Sequence, residues 1–239
     1  MTFEQRNMNP VWSADGKRLI YTSGVSVVTE SGALTAVNAD GSGQPVALSD
    51  QGGTPFTTSV SPDGKFVIGV RSSNNLTRSG TDAWVLPLAA DPKTAKPQPF
   101  LDNRFLRGEL QFSPDGKWVA YQSNESGRNE IYVVPYPGPG GKSQAYTDGG
   151  TQPRWNRNGR EMFFRNGNKL MAVGVETGAA FRAGTPKMLF EEVSNDYDVY
   201  PDGKRFLMLK PSSNTADASE LHIIVNWFDD LRRRVPTGK

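Results

Sequence analysis

Apolar residues along this chain fall in short runs with alternating polar positions, and turn residues rather than helical spacing separate the runs. Five separators share one form: Val11-Trp12-Ser13-Ala14-Asp15-Gly16-Lys17, Val60-Ser61-Pro62-Asp63-Gly64-Lys65, Phe112-Ser113-Pro114-Asp115-Gly116-Lys117, Trp155-Asn156-Arg157-Asn158-Gly159-Arg160 and Val199-Tyr200-Pro201-Asp202-Gly203-Lys204. An apolar residue leads in, proline presets φ where it occurs, and the Asp-Gly or Asn-Gly pair accepts the positive dihedrals of a tight turn. The Asp or Asn positions 15, 63, 115, 158 and 202 are 48, 52, 43 and 44 residues apart. A period of about 45 residues is what one four-stranded propeller blade requires.

Each repeat carries the strand order of a blade. A strand follows the turn directly, at 18–22, 66–70, 118–122, 161–165 and 205–209. A third is predicted at 34–38, 83–88, 130–135, 169–175 and 221–227, and a more polar fourth at 45–48, 98–101, 143–146 and 187–190. The second and third strands are richest in apolar and β-branched residues, as the buried middle of a blade demands. Helical periodicity is confined to a short stretch at 228–233. The expected fold is therefore an all-β propeller of five four-stranded blades.

The strand count also suggests how the ring closes. The fifth repeat ends after three strands, while residues 2–4 precede the first repeat as a surplus outer strand. Pairing 2–4 with 221–227 would close five blades and remove the open sheet edge. The alternative is the C-terminal part of a larger ring of six to eight blades. One domain is expected over 1–239, with repeats near 5–50, 51–102, 103–148, 149–192 and 193–231 and a tail at 232–239.

Composition narrows the function classes. Lys+Arg 27 against Asp+Glu 25 leaves a net charge of +2, too balanced for a nucleic-acid footprint. With no cysteine and one histidine, His222, thiolate and multi-histidine metal sites are excluded and no cofactor is expected. His222 reads as a strand residue. No apolar run is long enough to span a membrane, and the N-terminus lacks the features of an export signal. There is no Gly-x-Ser-x-Gly elbow, and none of the glycine-rich loop, His-Arg-Asp or Asp-Phe-Gly motifs of a protein kinase.

The repeats resemble the TolB-type, WD40-like propeller repeat, whose hallmark is Ser-Pro-Asp-Gly-Lys after an aromatic. The stretch Phe112-Ser113-Pro114-Asp115-Gly116-Lys117-Trp118-Val119-Ala120-Tyr121, together with Ser126-Gly127-Arg128-Asn129-Glu130-Ile131-Tyr132-Val133, is similar to the propeller attached to certain bacterial serine/threonine protein kinases. So are Gly150-Thr151-Gln152-Pro153-Arg154-Trp155 and Ile223-Ile224-Val225-Asn226-Trp227. The resemblance spans essentially the whole chain. It implies a sensor or protein-interaction module in the periplasm or another extracytoplasmic compartment, with a protein or small ligand bound on a loop face or at the channel mouth.

Candidate site residues are those that distinguish one repeat from the next. Phe56 and Phe105, in loops leading into inner strands, are the expected aromatic anchors, and Arg154 is the expected charged contact. The enzymatic rival is a carbohydrate-active propeller using Glu109 with Asp196 or Asp198 across the channel, which needs two carboxylates about 5–9.5 Å apart. The recurring Asp-Gly turns lie one per blade and so cannot converge on a calcium ion. Pro137-Gly138-Pro139-Gly140-Gly141 reads as a linker within a blade, the 72–82 segment as a variable loop, and Arg232-Arg233-Arg234 as a solvated end.

Overall fold

The computed structural model describes residues 7–24, 32–49, 56–72, 81–88, 94–101, 105–138, 140–191 and 196–208. The first sheet is β1 (Met8–Trp12), β2 (Arg18–Ser23), β3 (Ala33–Asn38) and β4 (Val46–Ala47). The second is β5 (Phe56–Val60), β6 (Phe66–Ser72), β7 (Thr81–Pro87) and β8 (Gln98–Leu101). The third is β9 (Leu106–Phe112), β10 (Trp118–Ser123), β11 (Glu130–Pro135) and β12 (Ser143–Tyr146). All three are antiparallel meanders in chain order. The fourth contains β13 (Thr151–Trp155), β14 (Glu161–Asn166), β15 (Lys169–Thr177), β16 (Phe181–Ala183) and β17 (Lys187–Phe190). The fifth repeat is described as the hairpin β18 (Tyr197–Val199) with β19 (Phe206–Met208). This is a β-propeller, with β1, β5, β9, β13 and β18 as inner strands, each packed on the next.

The turn between first and second strands is a side-chain device as well as a glycine turn. Ser13 Oγ donates to Asp15 Oδ1 at 2.6 Å and accepts the Arg18 amide at 2.9 Å. Asp15 Oδ1 also accepts the Lys17 amide at 3.1 Å, while Gly16 turns the chain at φ 69°. Ser61-Asp63 and Ser113-Asp115 repeat these bonds within 0.1 Å. In the fourth repeat asparagines substitute, the Asn156 and Asn158 side chains each accepting an amide two residues on. The residues common to all repeats thus serve the turn.

Apolar clusters form at the seams between successive sheets. Ile20 and Leu34 meet Val67, Trp84 and Leu86 at the first seam. Ile68, Val85, Phe112 and Val119 fill the second, and Ile131, Trp155, Met162 and Phe164 the third. Phe163, Leu170, Tyr197 and Phe206 fill the fourth. Each fully buried aliphatic or aromatic side chain contributes about 1.5–3 kcal/mol, so every blade is stabilised mainly by its neighbours.

Three differences from the sequence reading have local causes. The strand expected at 169–175 runs on to Thr177, and an unforeseen β16 folds back on it. Phe181 of β16 is buried between Trp118 and Trp155, at ring-centroid distances of 6.0 and 6.3 Å. It is a single aromatic in a polar segment, so no alternation announces it. The fourth strand of the first repeat shrinks from 45–48 to the exposed pair Val46–Ala47. Phe56 opens β5 instead of lying in the loop before it. The closing pair 2–4 and 221–227, His222 and the 232–239 tail lie outside the described residues.

Candidate functional site

Four of the five inner strands, β1, β5, β9 and β13, carry an irregularity at corresponding positions of the repeat. Pairing with the second strand slips between Met8 and Val11, Thr57 and Ser59, and Thr151 and Arg154, and β9 slips against β10 in the same region. At three of these bulges a residue other than glycine takes a left-handed backbone: Asn9 at φ 53°, Glu109 at 57° and Gln152 at 53°. Such a conformation costs on the order of 1–2 kcal/mol for an ordinary residue. Bulges re-aim side chains and backbone groups out of the sheet.

What the bulges re-aim is used by the next sheet. Thr57 Oγ1 donates to the Asn9 carbonyl. Gln111 Nε2 donates to the Thr58 carbonyl at 2.9 Å, and Trp155 Nε1 to the Gln111 carbonyl at 3.1 Å. The buried Tyr197 hydroxyl donates to the Gln152 carbonyl at 2.8 Å. From the second to the fifth, each repeat is therefore stitched to the inner strand of the one before it.

Arg154 is the hub of the charged stitches. Its Nη1 donates to Glu109 Oε2 at 2.9 Å and to the Pro153 carbonyl at 3.1 Å. Its Nη2 approaches Asp196 Oδ1 at 3.9 Å, and the guanidinium lies 5.9 Å from the Tyr197 ring centre. Burial works against the charge of Arg154, but the Glu109 carboxylate, with further help from Asp196, outweighs it and raises its pKa. Burial also pushes the Tyr197 hydroxyl well above its ordinary range, so it remains a proton donor. Asp198 is exposed and accepts the Val199 amide at 2.8 Å.

A cavity of about 460 Å³ opens against this wall, with Trp12, Ser59, Gln111, Arg154, Asp196, Asp198 and Leu207 among its lining. The structure thus brings Arg154, Glu109 and Asp196 into one cluster and places Asp198 beside it. Phe56 is half-buried at the start of β5, and Phe105 is half-buried before β9, its carbonyl accepting from Ser123 Oγ and the Asn124 amide, each at 3.0 Å. Neither lines the cavity. Tyr197, Gln111, Gln152 and Trp12 were not singled out from the sequence. Alignment on the Asp-Gly turns places Asn9, Thr57, Glu109, Gln152 and Asp196 in one polar column, each three residues before the end of its inner strand. That column was the available signal. Among the described residues no three His, Cys, Asp or Glu side chains converge as a metal set.

No family model and no curated protein matches the sequence. Solved structures share the fold. TolB from Acinetobacter baumannii superposes at a TM-score of 0.66 with 18% identity, over 87% of this chain and 49% of that one. A putative TolB from Agrobacterium tumefaciens superposes at 0.54 with 15% identity, over 80% and 83%. An oligogalacturonate lyase in complex with manganese superposes at 0.59 with 13% identity, over 87% and 59%. The chain spans about half the length of the Acinetobacter TolB. Its structural neighbours are TolB-type and related propellers, and at these identities the likeness shows the fold.

Proposed function

We propose that this propeller is a non-catalytic binding or sensing module that engages a protein or small ligand at the mouth of its channel, in an extracytoplasmic compartment. The carrying observation is the cavity of about 460 Å³ whose polar wall is built from residues that differ from blade to blade. A rigid ring with variable inner-strand residues suits recognition, because the sheets hold the wall while its side chains set specificity. The strained backbones at Asn9, Glu109 and Gln152 support the same reading, since such strain collects where geometry serves function.

The carbohydrate-active reading rests on Glu109, Asp196 and Asp198 near one channel. Against it stands Arg154, whose guanidinium lies between Glu109 and Asp196 and binds the first at 2.9 Å. Hydrolysis needs one carboxyl group that delivers a proton and a second that acts on the sugar or on water, and an ion-paired acceptor is poorly suited to the first task. The experiment is retention on the immobilised full chain beside its Asp198→Arg variant, which fills the cavity mouth. The variant is expected to lose the bound species. Equal retention would place binding elsewhere, and turnover of an oligosaccharide that disappears in Glu109→Gln would establish the enzyme instead.

A further inference from the structure

Resting on the channel-binding reading, the repeat itself defines a ligand group. Glu109 stands three residues before the end of the third inner strand and is met at 2.9 Å by Arg154, one residue before the end of the fourth. Asp196 holds the position of Glu109 in the fifth repeat. In the first repeat the position of Arg154 is held by Val11, an aliphatic residue lining the same cavity as Asp196. Arg154 itself reaches Asp196 only at 3.9 Å, from the other side, and is committed to Glu109. Among the described residues, the place where the repeat puts a guanidinium beside a carboxylate thus has no cation from the first repeat.

The rest of the wall fits the same group. Asp198 adds a second exposed carboxylate, so with the Arg154–Glu109 pair neutral the open part of the cavity is acidic. Trp12 is 58% exposed, whereas Trp155, its equivalent in the fourth repeat, is 8% exposed within a seam. Leu207, 36% exposed, lines the cavity with it. An indole face attracts a guanidinium and covers an aliphatic stem.

We propose that this cavity takes a basic side chain, arginine in first place, presented by a protein partner, with its stem against Trp12 and Leu207 and its head between Asp196 and Asp198. The occupant is argued from charge complementarity and from the Glu109–Arg154 template, in which Glu109 stands two repeats before Asp196.

The test titrates the full chain with an arginine–leucine hexapeptide and its glutamate–leucine counterpart. Tryptophan emission and acrylamide quenching are read, with Trp12→Phe isolating the Trp12 signal. The arginine peptide is expected to bind and shield Trp12, and salt is expected to weaken it. Asp196→Asn and Asp198→Asn are each expected to weaken it by about threefold to fivefold, the upper part of the range for an exposed ion pair. Asparagine keeps the size of aspartate, and circular dichroism checks that the variants remain folded. Equal binding of the glutamate peptide, abolished by Asp198→Arg, would overturn the basic assignment and leave the channel reading standing. A Trp12 as shielded as Trp155 in the free protein would mean that another sheet covers this face, and would also overturn the assignment. Failure of both peptides, together with unchanged retention by Asp198→Arg, would remove both readings.

Discussion

Removing the Arg154 guanidinium while keeping its bulk, as in Arg154→Met, tests whether the charged stitch holds the fourth blade to the third. The side chain of Arg154 is 18% exposed and that of Glu109 35%, so the pair lies between the surface and core limits. Surface pairs contribute about 0.2–1 kcal/mol, and hydrogen bonds to charged groups about 1.5–3 kcal/mol when shielded. A coupling of about 1–2 kcal/mol between Arg154 and Glu109 follows from that intermediate burial. Asp196, with its side chain 56% exposed and its oxygen at 3.9 Å, belongs to the surface class and should couple by less than about 0.5 kcal/mol. Arg154→Met should cost about 2–3 kcal/mol in total, because it also strands the bonds at Glu109 and the Pro153 carbonyl. For a chain of this size that is a fall of very roughly 4–12 °C in midpoint. The assay is a double-mutant cycle with Glu109→Gln and Asp196→Asn, read by urea unfolding with the slope checked for constancy. A Glu109 coupling near zero, or an Asp196 coupling larger than it, would refute the reasoning from distance and burial.

Three further outcomes follow from other parts of the fold. A Cβ at Gly69 would sit 2.4 Å from the Phe56 carbonyl oxygen, opposite the β5 bulge, so Gly69→Ala should destabilise by about 1–3 kcal/mol in the same urea assay. Phe181→Ala should cost about 3–5 kcal/mol and red-shift tryptophan emission, since Trp118 and Trp155 lose the ring that shields them. The Ser13 hydroxyl holds the Asp15 carboxyl below its usual value of 3.8, the Ser61 hydroxyl does the same for Asp63, and the Lys204 amide does so for Asp202. Folded values lower than unfolded ones mean that this stabilisation is complete above the unfolded pKa and is lost as pH falls through the folded values. Urea midpoints should therefore drop below about pH 4. The drop should shrink in Ser61→Ala, and an unchanged acid limb would contradict the turn bonding.

The sequence predicted turns better than strand ends, for a physical reason. The four Asp-Gly turns and the one Asn-Gly turn are encoded by a handful of adjacent residues, and all five appear at their predicted places with glycine φ between 66° and 71°. Strand limits depend on neighbours. Lys169–Thr177 outruns its apolar pattern because β16 pairs with its end, and Val46–Ala47 falls short of its predicted span. The site was partly legible: Arg154, Glu109 and Asp196 stood out as charges on inner strands, and the structure brings them together. Tyr197 did not, because a tyrosine before an Asp-Gly turn reads as core until its hydroxyl is seen bonding the Gln152 carbonyl of the previous blade.

Local residue order alone determined the all-β class, the repeat and its period, because turn chemistry and alternation act over a few residues. It also shows no cysteine and none of the glycine-rich loop, His-Arg-Asp or Asp-Phe-Gly motifs of a kinase. Only the tertiary structure decided which charges meet. Glu109 and Arg154 are 45 residues apart in the chain and 2.9 Å apart in space, joined by the packing of one blade on the next. The left-handed bulges at Asn9, Glu109 and Gln152 belong to the same level. They are conformations that these residues disfavour on their own, held by bonds to and from a neighbouring blade.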